Sequence, residues 1–454
     1  MGLTLIRKSR GSRPKRDPRI ALVLAGGAVS GGAFKVGGLK ALDDFLVGRK
    51  ITDFDTYVGL SAGSILAVAL ASGVSPGEMI KVLEGRSRRM DQLRPMDFYN
   101  PNWREFVGRP AKLVYDLLAF LPGVGADFVR ALPGLPEAVG GPLQAFAGAP
   151  TYAHFEKAAL ALMQHVSPRR EIPALTNHIP SGFFDNASLE SWLRRNLERM
   201  RMPNDFRAFL RKRARSLYIT ACDLDTAERE VFGPDECCDA TISEAVQAST
   251  ALPLFYRPAR INGVDYVDGG VRTTASIDVA IEKGADLIVC YNPFRPFLNR
   301  IDAEGGGAPY FANGRYLADR GMKMVLNQVF RTLLHSRLKL GLQRYLTDER
   351  FQGDILLLEP RERDAEFFNL NPLAFWKRAD AIQHGFESVR TTLEQNFDAV
   401  AEVLGHYGLE MSREAAHRKA ERVRAERGWA LPKDEPAAQE ASRTPLRLVR
   451  SESA

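Results

Sequence analysis

Asp55 to Val74 reads DTYVGLSAGSILAVALASGV, and the chain is organised around it. Tyr57 and Val58 lie in an apolar run that predicts the end of a buried strand. The small residues Ala62, Gly63, Ser64, Ala67 and Ala69 predict a helix packed tightly on a sheet. Ser61, inside the run Gly59-Leu60-Ser61-Ala62-Gly63, therefore falls at a strand-to-helix corner. A side chain there sits in a strained turn with its hydroxyl above the sheet, and the flanking glycines let strand and helix pass close together. The N-terminus of the helix that follows favours negative charge on a reacting oxygen. The plain alternative is a small-residue helix start that happens to hold a serine.

Upstream, Ile20 to Ala25 (IALVLA) predicts a first buried parallel strand, running into Gly26-Gly27-Ala28-Val29-Ser30-Gly31-Gly32 and then a helical pattern through Leu39, Leu42 and Leu46. A glycine-rich turn of this kind turns consecutive backbone amides toward one point, which suits a phosphate or an oxyanion. A dinucleotide fingerprint needs an acidic residue at the end of the second strand. Asp53 and Asp55 come near that position, but the second strand ends in Ser61. An oxyanion hole beside a nucleophile is the better joint reading of the two corners.

Downstream, Arg86 to Asn186 breaks the α/β rhythm. Apolar residues such as Trp103, Phe106, Leu117, Phe120, Phe128 and Phe146 are interrupted by Pro110, Pro122, Pro133, Pro136 and Pro142, predicting short helices that cap a site or offer an interfacial patch, or that pack on the core. Asn186 to Arg199 predicts a helix capped by its asparagine. Strands are expected at Ser216–Asp223, within Thr226–Phe232 and at Ala285–Tyr291, with helices at Ile242–Ala251 and Ser276–Lys283. A hairpin-like piece, Asn262 to Val267, delivers Asp268-Gly269-Gly270, where a carboxylate stands at the mouth of a sharp turn. Apolar strand runs alternating with helices give a mainly parallel sheet covered on both faces. Beyond Phe311 the pattern is helical at Met322–Leu346 and Trp376–Leu404, with one strand at Asp354–Leu358.

The 454 residues are 45% hydrophobic and 26% charged, the balance of a globular chain and not of a disordered one. The longest apolar run, Ile65 to Val74, is too short to span a bilayer, and the N-terminal residues lack the apolar core of a secretion signal. Cys222, Cys237, Cys238 and Cys290 have neither disulfide nor zinc spacing, so reduced thiols and a cytoplasmic setting are expected. The net charge of +7 is concentrated in an N-terminal arm and the C-terminal helix. It suits an anionic lipid surface as well as nucleic acid, but no nucleic-acid motif accompanies it, and a solvated basic tail is the plainer reading. The expected organisation is a basic arm (1–18), a catalytic domain (19–300) with the insertion at 86–186, a helical C-terminal region (301–410), and a charged helix with a disordered tail (411–454). Oligomeric state is not expressed in the sequence.

Taken together these pieces resemble the patatin-like phospholipase family. The likeness rests on the glycine loop Gly26 to Gly32 with Gly37, the run Gly59 to Gly63, Thr220-Ala221-Cys222-Asp223-Leu224, Ala245-Val246-Gln247-Ala248-Ser249 to Pro253, and Val267-Asp268-Gly269-Gly270, in order over about Arg19 to Asn292. It implies a three-layer α/β/α fold and a serine–aspartate dyad without histidine, metal or cofactor. It maps Ser61 to nucleophile, Asp268 to base and the backbone of Gly26, Gly27 and Ala28 to the oxyanion hole, with Gly31, Gly59, Gly63, Gly269 and Gly270 as supporting positions. The substrate class implied is a lipid or phospholipid ester, met at a membrane or lipid granule. Two departures stand out. Val29, Ser30 and Gly31 occupy the loop where many members carry a basic residue, with Lys35 arriving later, and Arg272, Thr273 and Thr274 replace asparagines after the DGG turn.

Two rivals remain at this level. An α/β-hydrolase triad would recruit His335 or His384 after Asp268, although both fall in helical patterns. The other histidines, His154, His165, His178, His406 and His417, show no metal-ligand spacing. A catalytically silent lipid-surface scaffold would keep the fold and use only the apolar insertion.

Overall fold

The computed structural model describes residues 2–9, 14–166, 178–237, 239–299, 316–362, 364–427 and 447–450. The chain divides into two compact units: Met1–Asn100 with Phe184–Ala454, and Pro101–Phe183.

The first unit is built on a ten-stranded sheet. Its strands are β1 (Leu3–Arg7), β2 (Ile20–Leu24), β3 (Thr56–Leu60), β4 (Ser216–Asp223), β5 (Arg229–Phe232), β6 (Ala259–Ile261), β7 (Val264–Asp268), β8 (Leu287–Tyr291), β9 (Asp354–Leu358) and β10 (Arg447–Arg450). They lie in the order β10-β1-β9-β8-β2-β3-β4-β7-β6, with β5 paired to β4. The centre, β9-β8-β2-β3-β4, is parallel, and β7 returns antiparallel beside β4. Central strands of this kind are apolar on both faces because both faces are covered. Leu22, Leu24, Tyr57, Ile219 and Val289 point into one core, and Ala21, Val23, Val58, Tyr218 and Ile288 into the other. The sequence thus folds as three layers.

The helices are α1 (Ala28–Phe45), α2 (Ala62–Ala71), α3 (Ala187–Arg199), α4 (Ile242–Thr250), α5 (Ile277–Glu282), α6 (Met322–Thr347) and α7 (Arg378–Gln395). On the first face pack α1, α2, α3, α4 and α7; α5 and α6 cover the second. The start of α4 is set by a capping box, in which Thr241 Oγ1 accepts from the Glu244 amide while Glu244 accepts from the Thr241 amide. α7 crosses α1 so closely that a Cβ on Gly385 would run into the Phe34 carbonyl.

Several local expectations are corrected. Leu3–Arg7, assigned by charge to an arm, is a strand antiparallel to β9, because Leu3 and Leu5 alternate with Ile6 between the two cores. Arg447–Arg450, inside the expected disordered tail, pairs parallel to β1; the rest of that tail, 428–446 and 451–454, lies outside the described residues, as does Cys238. Trp376–Leu404 is two helices, broken at Asn396, whose side chain donates back to the Thr392 carbonyl at 2.8 Å. Asn186 does not cap α3 with its side chain; its amide donates to the Gln247 carbonyl and Thr250 hydroxyl at 2.8 and 3.0 Å instead.

The second unit holds helices at Trp103–Ala131, Leu135–Gly148 and Tyr152–Val166. The first runs for 29 residues through Pro110 and Pro122 where shorter pieces were expected. Each proline removes one amide and crowds one carbonyl, which kinks a helix without ending it when the flanking turns stay bonded. Among the described residues no single helix is long and apolar enough to cross a membrane.

Candidate active site

Strand register brings the site residues into one row. Leu60 of β3 pairs with Thr220 of β4, and Ala221 of β4 pairs with Asp268 of β7, so Ser61, Ala221 and Asp268 stand at one level across three strands. Leu24 of β2 pairs with Gly59 of β3, which puts Gly26 level with Ser61 on the other side. A Cβ added to Gly26 would lie 3.3 Å from Ser61 Cβ. Two side chains separated by 207 positions in sequence thus face one another over β4.

Ser61 has φ 53° and ψ −131° at the N-cap of α2. Such a backbone conformation costs a residue with a side chain about 1–3 kcal/mol, so the surroundings must hold it. They do so through buried bonds. The Ser61 amide donates to Ser249 Oγ at 2.8 Å, Ser249 Oγ donates to the Thr220 carbonyl at 2.7 Å, and Ser64 Oγ donates to the Ser61 carbonyl at 2.6 Å. A Cβ on Gly63 would strike the Leu24 and Ala25 carbonyls, so only glycine lets α2 pass the end of β2 here. Gly59 meets α2 in the same way, at Ser64 and Ala67.

Asp268 ends β7 and is buried. Its amide donates to the Ala251 carbonyl at 2.9 Å, tying it to the end of α4, and its Oδ1 accepts from the Gly270 amide at 2.8 Å. Burial pushes the carboxyl up to about 6, against the Ser61 hydroxyl, the Gly270 amide and the Lys35 charge, which all favour the ionised form. Gly269 sits where a Cβ would come within 2.7 Å of Leu60 and of the Thr220 carbonyl.

The glycine loop completes the site. Ala28, at φ 49°, opens α1, and among the described residues the backbone amides of Gly26, Gly27 and Ala28 have no acceptor. The Ala62 amide, in the first turn of α2, has none either. Pro293 and Phe294 wall the loop from outside, against Gly27 and Gly26. Gly31 lies a turn into α1, where a Cβ would make ordinary contact with Pro293 at 3.5 Å, so its place in the row is less direct than that of Gly26. Behind the loop lies Lys35, fully buried, whose Nζ donates to the Ala25 carbonyl and, at 3.1 Å, to the Gly26 carbonyl. Burial lowers its ammonium to about 7, with Cys290 and Asp268 drawing it back up.

Sequence reasoning missed Ser249 and Lys35 as parts of the site. Ser249 stood inside a recognised motif and carried that much signal; Lys35 was marked only as the basic residue that arrives after the glycine loop, and its burial behind that loop is what ties it to the site. The histidines go elsewhere. His335 Nε2 lies 3.3 Å from Glu359, and His384 Nε2 lies 2.7 Å from Asp364, so each is committed to a carboxylate other than Asp268. Among the described residues no group of His, Cys, Asp or Glu could hold a metal ion.

The patatin-like phospholipase family model matches residues 22–281, and the chain belongs to that family. Among solved structures it is similar to VipD from Legionella pneumophila, at 15% identity and a TM-score of 0.36 over 87% of this chain and 70% of that one. It is similar to ExoU from the type III secretion system of Pseudomonas aeruginosa, in complex with SpcU, at 19% identity and 0.27 over 86% and 61%. Human GIVD cytosolic phospholipase A2 in complex with methyl γ-linolenyl fluorophosphonate follows at 13% identity and 0.29 over 86% and 59%. The chain therefore spans about three fifths of the last two. Family membership carries a coarse conclusion, that the fold is that of lipid-ester hydrolases.

Proposed function

We propose that the protein is a serine acyl hydrolase of phospholipase A type, with its catalytic part in residues 19–300. Ser61 Oγ attacks the ester carbonyl carbon while its proton passes to Asp268. The tetrahedral oxygen is held by the amides of Gly26, Gly27 and Ala28, aided by the N-terminus of α1. Collapse expels the alcohol, which takes the proton from Asp268, and leaves an acyl-serine. Water, deprotonated by the same carboxylate, then releases the acid and restores Ser61. No cofactor enters this scheme.

The observation that carries the proposal is the row itself: a strained buried serine facing a carboxyl raised to about 6, beside three amides that have no acceptor among the described residues. A carboxylate with its ordinary value would be a feeble base for a hydroxyl, and burial moves it toward the working pH. Lipid as substrate class follows from family membership. Exposed Trp103, Val107, Tyr115 and Tyr152 in the Pro101–Phe183 unit suit peripheral contact with a lipid surface. The test is a serine-directed fluorophosphonate, with the adduct mapped by peptide and lipids profiled with the pure enzyme. The adduct is expected on Ser61, and labelling of another serine with Ser61 unmodified overturns the assignment.

A further inference from the structure

α6 is apolar on two opposite faces. Leu338 and Leu342 are buried against the sheet, and Arg331 on the same side donates to the Pro293 and Arg295 carbonyls, each at 3.2 Å. The outer face repeats at helical spacing: Met322, Leu326, Val329, Phe330, Leu333 and Leu340, the first 77% and the last 66% exposed. An apolar stripe of this length left in water marks an interaction surface.

Charge identifies the occupant. The 26 residues of α6 contain five Lys or Arg and no Asp or Glu. Lys323, Lys339 and Arg344 are exposed, and among the described residues none of them forms an ion pair. Long cationic side chains beside an apolar stripe can lay their stems on lipid and keep their heads among anionic headgroups. A second copy of this face would instead set the four exposed charges, Lys323, Arg337, Lys339 and Arg344, against the same four, with no acid in either helix to compensate. The stripe also adjoins the site. Arg337 Nη1 donates to the Val271 carbonyl at 2.6 Å and Thr274 Oγ1 to the Leu334 carbonyl at 2.7 Å, so α6 is bonded to the chain just beyond Asp268-Gly269-Gly270. Val271 is itself apolar and exposed.

We infer that the outer face of α6 docks the protein on an anionic lipid bilayer and holds the catalytic row beside the layer that supplies its ester. This inference rests on the lipid-hydrolase reading for its purpose, but the binding itself is measured without turnover.

Full-length Ser61→Ala protein is floated with vesicles of phosphatidylcholine alone and of phosphatidylcholine with phosphatidylglycerol. Binding is expected to favour the anionic vesicles and to weaken with salt. It should fall roughly tenfold in Leu326→Ser/Leu333→Ser, through lost apolar burial, and by a similar factor in Lys323→Gln/Lys339→Gln/Arg344→Gln. With Ser61 intact, both sets should keep soluble-ester turnover and melting temperature while losing turnover on anionic vesicles. Equal binding to both vesicle types, or unchanged binding in both sets of variants, overturns the inference. So does a dimer in sedimentation that the leucine substitutions dissolve. Failure of the hydrolase reading would appear separately, as absent ester turnover in wild type with vesicle binding retained.

Discussion

The corner after β2 and the corner after β3 both bend a residue with a side chain into positive φ, Ala28 at 49° and Ser61 at 53°, and both open directly into a helix. They differ in what they leave free. At the second corner the backbone of Ser61 is bonded through Ser249 and Ser64, and the hydroxyl remains to react. At the first the side chains are small or absent, the amides remain, and the carbonyls of Ala25 and Gly26 are bonded to Lys35 from behind. Neighbouring, similarly folded turns thus expose different groups, and in the proposed reaction these are complementary: a hydroxyl from one and backbone amides from the other.

The largest effects are expected at the proposed reacting pair. Ser61→Ala and Asp268→Asn should each lower kcat/KM for an ester by roughly 10³-fold or more with the circular dichroism unchanged. Near-wild-type turnover in either refutes the dyad. In wild type kcat/KM should fall on the acid side with a midpoint near 6, because the base must be ionised. The same burial has a stability consequence. The folded state binds this proton more tightly than an unfolded chain at the ordinary 3.8, so stability is lost as pH rises from 3.8 through about 6, at a cost of about 3 kcal/mol. Asp268→Asn should therefore melt above wild type at pH 8, with the gap closing toward pH 4.

Lys35→Met sharpens the other half. Removing the donor to the Ala25 and Gly26 carbonyls should cost about tenfold in kcat by loosening the amides. Removing its charge should move the acid midpoint upward, since Lys35 helps to keep Asp268 ionised. A loss of kcat without that upward movement would leave Lys35 a purely structural part. Ser249→Ala leaves the Ser61 amide and Thr220 carbonyl without a shared partner, a loss of about 1–3 kcal/mol in unfolding free energy, and kcat should drop severalfold with KM little changed. The smallest effect is expected at His335→Gln and His384→Gln, where turnover should stay within about twofold, because a two-member relay requires neither. A hundredfold loss in a folded variant would restore the three-member scheme.

Both corners were legible because strand, glycine and small-residue helix follow one another within a few residues, where local sterics decide the outcome. The meeting of Ser61 with Asp268 was legible only through resemblance, since it depends on the register of β3, β4 and the antiparallel β7. Leu3–Arg7 and Arg447–Arg450 were hidden by their charge, which at a sheet edge is compatible with strand pairing. The outer stripe of α6 escaped notice because apolar residues on two faces merge into one helical pattern, and only burial separates them.

The region matched by the family ends at residue 281, before β8 and β9 have been added to the sheet and before α7 has crossed α1 at Gly385. A chain cut back to that boundary would turn β2, the innermost strand, into a naked rim of unpaired amides and carbonyls, and would strip the cover from α1, the helix that the glycine loop opens. Such a fragment should aggregate rather than work. For this protein the minimal hydrolase is larger than the stretch of sequence by which its kinship is recognised.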